Sequence, residues 1–158
     1  MSREYCVPKR KVRAQVLLPS QAPTEVTLFL GDRAETHDGP ERPSDLVNGS
    51  LAFIPALDHL GQIMLIRRDA LMLVSLDARD EEDEACPQLA QAVDVTQVKV
   101  HVVLEDGTSI AGTAAYFMPD SQRRLQDFLN TSARFLTLRQ DQVVHLINKR
   151  RIVRVLSD

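Results

Sequence analysis

One set of residues recurs at a fixed spacing with types suited to directed polar contacts: Arg42, Asp45 and Asn48, then Arg124, Asp127 and Asn130. A guanidinium three residues before a carboxylate can pair with it on one helical face. The same two groups can bind charged groups of a partner. Asn followed by a small residue can close a helix at its C-terminal end, and Ser50 and Ser132 can hydrogen-bond the emerging backbone. Capping accounts for these residue types by itself. The functional reading sets Arg and Asp along a partner groove. A second group is basic: Lys149, Arg150, Arg151 and Arg154, with Arg123 and Arg124 upstream. Such a cluster can bind phosphates. It can equally sit on a solvated hairpin and meet the acidic linker of its own chain.

Catalytic chemistry finds less support. His37, His59, His101 and His145 do not pair with a cysteine or with each other at ligand spacing. Cys6 and Cys86 make neither a metal site nor a disulfide framework, and they read as reduced thiols. The six glycines are scattered, so there is no phosphate loop and no nucleophile elbow. With no Trp, two Tyr and five Phe, the chain has few rings for stacking on bases. The expectation is no enzyme, no cofactor and no metal.

The elements that carry these residues repeat. The stretch from Arg42 through Asp45, Asn48 and Ser50 to Phe53 aligns without a gap with Arg124, Asp127, Asn130, Ser132 and Phe135. Leu46 falls on Phe128, Val47 on Leu129 and Ile54 on Leu136. After a shift of one residue, residues 63–66 fall on 144–147 and residues 71–74 on 152–155. Upstream, residues 13–18 resemble 99–104, and residues 24–26 resemble 108–110.

The second copy is the easier to read. Val98, Val100, Val102 and Leu104 alternate with other residues, as in a strand with one buried face. Asp106-Gly107 predicts a hairpin whose two central residues both take positive φ. Gly112 in the return strand predicts a bulge or a close backbone approach. Asp120 and Ser121 offer an N-cap for a helix over 122–129, which Asn130 closes in a left-handed conformation. Three short strands follow.

The predicted fold class is mainly β with short helices. It comprises two tandem copies of a small five-stranded, barrel-like β-β-α-β-β-β domain. The predicted boundaries are a basic tail over 1–12, a first repeat over 13–76, an acidic linker over 77–94 and a second repeat over 95–158. The first repeat and tail hold nine basic and nine acidic residues, the linker one and seven, and the second repeat nine and six. A mildly acidic chain thus carries a positive second half beside a negative linker.

The repeated pattern R-x-x-D-x-[LV]-N followed by F-[IL] resembles that of small uncharacterised bacterial domains that occur singly or in tandem. Arg42, Asp45, Asn48 and Phe53, then Arg124, Asp127, Asn130 and Phe135, carry the resemblance. It covers both halves and implies no activity. Sm-like barrels share five short bent strands but place their helix first. No stretch has the 18 or so apolar residues of a membrane helix, and the N-terminus lacks a signal-peptide core. The chain therefore reads as a non-catalytic protein-interaction or scaffold module of the bacterial cytoplasm. Its expected partner is another protein or a second copy of itself. The alternative is nucleic-acid or nucleotide binding through the basic face of the second repeat.

Overall fold

The computed structural model describes residues 10–32, 34, 39–81, 95–117, 124–131 and 133–157. Elements run in the order β1 (Arg10–Leu17), β2 (Thr24–Leu30), α1 (Pro43–Val47), β3 (Phe53–Leu57), β4 (Ile63–Arg67), β5 (Leu73–Asp77) and α2 (Ala78–Glu81). The second half follows with β6 (Val95–Leu104), β7 (Ser109–Phe117), α3 (Leu125–Leu129), β8 (Phe135–Gln140), β9 (Val143–Asn148) and β10 (Ile152–Ser157). A 3-10 turn precedes the last strand of each half, at Arg68–Ala70 and Lys149–Arg151.

All ten strands join one open antiparallel sheet in the order β10-β6-β7-β8-β9-β5-β1-β2-β3-β4. The sequence predicts two tandem copies and leaves their packing open; the hydrogen bonding runs continuously from one half into the other. The joint is β5 against β9, where Leu73, Val74, Ser75, Leu76 and Asp77 face Ile147, Leu146, His145, Val144 and Val143. β4 and β10 are left as the two ends of the sheet.

Alternation decides which face of each strand is buried. On β1, Val12, Ala14 and Val16 point inward while Lys11, Arg13 and Gln15 face solvent. Two apolar clusters result, and each borrows from the other half. Phe135, Val144 and Leu146 pack with the first-half residues, and Leu17 and Met72 pack with the second-half ones.

The sheet is weakest where each helix is inserted. β2 meets β3 at two register pairs and β7 meets β8 at one. Pro55 on β3 has no N–H to extend the first of these ladders. At the second, a Cβ on Gly112 would lie 3.0 Å from Leu138 Cβ and 3.1 Å from the Arg139 carbonyl oxygen. The predicted close approach is therefore real, and glycine is what permits it.

Several local expectations are corrected. The predicted tail gives up residues 10–12 to β1, which pairs from Arg10 with Leu30 onward. The predicted linker gives up Asp77 to β5 and residues 78–81 to α2. Ala78 is buried, and its N–H donates to the Gln142 carbonyl at 2.8 Å, so local charge does not prevent ordering there. Of Asp106 and Gly107, only the glycine has positive φ. The loop has three residues: the Leu104 N–H donates to the Thr108 carbonyl, and the Asp106 carboxylate accepts from the Thr108 N–H. Asn48 and Asn130 sit at φ −90° and so end their helices without a left-handed turn. Cys6, His37, Cys86, Asp120, Ser121, Arg123 and Ser132 lie outside the described residues.

Candidate functional site

The two copies of the repeated motif fold alike and then do different work. On α1, the Arg42 guanidinium pairs with Asp45 at 3.2 Å, and the Arg42 N–H donates to the same carboxylate at 2.9 Å. The carboxylate thus holds both the side chain and the backbone of the residue that opens the helix. On α3, Arg124 pairs with Asp127 through bonds of 3.0 and 3.3 Å in the same forked way.

The asparagines diverge. Asn130 donates to the Gln126 carbonyl of its own helix at 2.8 Å. Asn48 instead reaches into the second half, where its Oδ1 accepts from the Phe135 N–H at 2.9 Å. The first motif is therefore part of the joint between halves. Glu81 closes the other end of α1, accepting from the Ser44 N–H at 3.2 Å. Burial pushes its carboxyl above the ordinary value, against the pull of the Ser44 hydrogen bonds.

The basic turn is largely engaged. Arg151 pairs with Glu105 at 2.6 Å and donates to the Asp69 carbonyl at 3.1 and 3.2 Å. Arg150 lies 3.9 Å from the Asp69 carboxylate, which also takes Arg134 at 3.3 Å. Lys149 donates to Thr131 and lies 5.9 Å above the ring of Phe128, which itself stacks on Tyr116 at 4.4 Å. Burial holds the Lys149 amine below its ordinary value. Arg154 is exposed on β10, with no ion pair among the described residues. Among the described residues, the acids that meet this cluster are Asp69 of the first half and Glu105, and neither belongs to the predicted acidic linker.

His145 lies in the joint. Its Nδ1 is 2.8 Å from the Ser75 hydroxyl and its Nε2 is 3.1 Å from the Gln140 amide oxygen. Burial lowers its affinity for a proton. Arg68 is buried, and its Nε and Nη1 have no hydrogen-bond partner among the described residues. No group of three or more His, Cys, Asp or Glu among the described residues could hold a metal ion. One cleft lies on the β6–β7–β8 surface, lined in part by Lys99, His101, Thr113, Arg139 and Asp141. No helix among the described residues is long and apolar enough to cross a membrane.

Several apolar residues are exposed, and apart from Phe53 of the repeated pattern the sequence did not mark them as a surface. Phe53, Leu60, Ile63 and Leu65 form a patch along β3, β4 and their connecting turn. Val153 and Leu156 stand out from β10. A signal was present: residues 63–66 are four apolar residues in a row, a pattern expected of a strand covered on both faces. No protein-family model matches this chain, and the searches of curated proteins and of solved structures found no similar protein.

Proposed function

We propose that this chain is a non-catalytic protein-interaction or scaffold module. It consists of two duplicated, five-stranded, barrel-like units and binds through the open edges of their shared sheet. The same reading groups it with the small bacterial β-domains that carry R-x-x-D-x-[LV]-N and sets it in the cytoplasm. The observation that carries the proposal is edge strand β4, with Ile63 and Leu65 exposed beside Phe53 and Leu60. An edge strand offers unpaired N–H and C=O groups, and its exposed side chains select what pairs with them. The Arg and Asp of the repeated motif are occupied with each other, which makes the apolar edge the stronger contact surface.

Native co-purification with nuclease tests this, comparing the wild-type chain with an Ile63→Lys/Leu65→Lys chain. The expected result is a set of protein partners that survives nuclease and is lost by the variant. Identical sets from both chains would refute binding through β4. A nuclease-sensitive set, with affinity falling steeply as salt rises, would favour nucleic-acid binding through Lys149, Arg150, Arg151 and Arg154.

A further inference from the structure

We infer that β4 of one copy docks on β10 of another, head to tail, repeating between chains the joint that β5 and β9 make within one. The inference rests on the edge-binding reading and names its partner as a second copy of this chain. Residues 63–66 correspond to 144–147, so β4 is the first-half counterpart of β9. Residues 71–74 correspond to 152–155, so β10 is the second-half counterpart of β5. The molecule therefore holds one complete joint inside and displays its two unmatched sides at the ends of the sheet.

Burial separates the used sides from the unused ones at corresponding positions. Val144 and Leu146 are 4% and 0% exposed in the joint, whereas Ile63 and Leu65 are 73% and 67% exposed at the free edge. Phe135 is 3% exposed and Phe53 is 55%. On the other side, Met72 is 1% exposed and Val153 is 64%. Apolar residues occupy free-edge positions where solubility favours charge or proline. The helices agree: Leu46 and Val47 of α1 are buried, whereas α3 has no buried residue.

Polar groups also carry over. The Asn48 Oδ1 accepts from the Phe135 N–H within the chain. Asn130 and Phe53 stand in the corresponding places and would meet across the new contact. Asp69 faces Arg150 inside, and because these two positions correspond, Arg150 would face Asp69 of the second copy. Transferring the register sets Arg154, Val155, Leu156 and Ser157 opposite Ile66, Leu65, Met64 and Ile63 of that copy. Such a contact joins unlike surfaces, so it builds a closed ring or a filament according to its rotation.

Native mass spectrometry of the full chain over a range of concentrations tests the inference. Two variants are used: Ile63→Lys/Leu65→Lys blocks β4, and Val153→Lys/Leu156→Lys blocks β10. All four positions are exposed, and circular-dichroism melting checks that both variants fold. The wild type should assemble beyond the dimer and each variant alone should be monomeric. Their equimolar mixture should stop at a heterodimer, because one working β4 and one working β10 are left. A wild type that is monomeric throughout overturns the inference, as does a β10-blocked chain that dimerises alone through β4 against β4. If a monomeric wild type still loses its co-purifying partners on Ile63→Lys/Leu65→Lys substitution, edge binding stands and only docking between copies fails.

Discussion

Leu65 and Leu146 occupy corresponding places in the two halves, and only their surroundings differ. Leu146 is fully buried on β9, opposite Val74 of β5, within the first apolar cluster. Leu65 faces solvent on β4. Truncating a buried leucine to alanine removes its transfer energy and leaves a cavity, at a cost of about 2–5 kcal/mol. Truncating an exposed one changes stability by about 0.5 kcal/mol or less. In a chain of this size each kcal/mol moves the melting temperature by about 2–4 °C. A Leu146→Ala loss of about 3 kcal/mol thus lowers Tm by about 6–12 °C, whereas Leu65→Ala leaves it nearly unchanged. Urea unfolding followed by far-ultraviolet circular dichroism measures both. Dilute protein is needed, because assembly would add a concentration-dependent stabilisation. Equal losses for the two variants would show that the β5–β9 joint does not bury Leu146 and would remove the basis for treating the free edges as its unmatched sides.

Asp45→Ala is expected to cost about 1–2 kcal/mol, because Asp45 holds the Arg42 backbone and guanidinium together at the start of α1. Asp127→Ala should cost less, since its partner Arg124 is mostly exposed; denaturant titration of both variants checks the order. Burial depresses the His145 pKa from 6.5, so the folded chain resists a proton that the unfolded chain accepts. Stability should therefore be full above pH 6.5 and decline as pH falls through that value toward the lowered folded one, and His145→Gln should flatten that slope in melts across pH 5 to 8. Gly112→Ala forces apart the β7–β8 contact, where the new Cβ would lie 3.0 Å from Leu138 Cβ. A loss of about 1–3 kcal/mol is expected, read by thermal melting.

Local chemistry made much of the secondary structure legible. The alternation of Val98 to Leu104 specified a strand because side-chain direction on an extended chain has period two. The Arg–Asp spacing specified the pairs on α1 and α3 because residues three apart share a helical face. The motif's asparagines were legible as helix ends but not as contacts between halves. Asn48 reaches a backbone N–H 87 residues away, and nothing near it in the chain encodes that distance. The basic turn reads as meeting the acidic linker over 77–94, but the acids it pairs with among the described residues are Asp69 and Glu105, which lie outside that stretch and which only folding brings near it.

The sequence by itself determined that one pattern occurs twice and which residues of each copy are apolar, because periodicity and turn chemistry act over a few residues. The tertiary structure alone decided that β5 pairs with β9, so that a single sheet runs through both copies. Pairing between distant strands depends on which edges can satisfy each other's backbone groups and bury each other's side chains. Corresponding residues such as Leu65 and Leu146 carry the same chemistry, and only the fold makes one of them core and leaves the other as an edge.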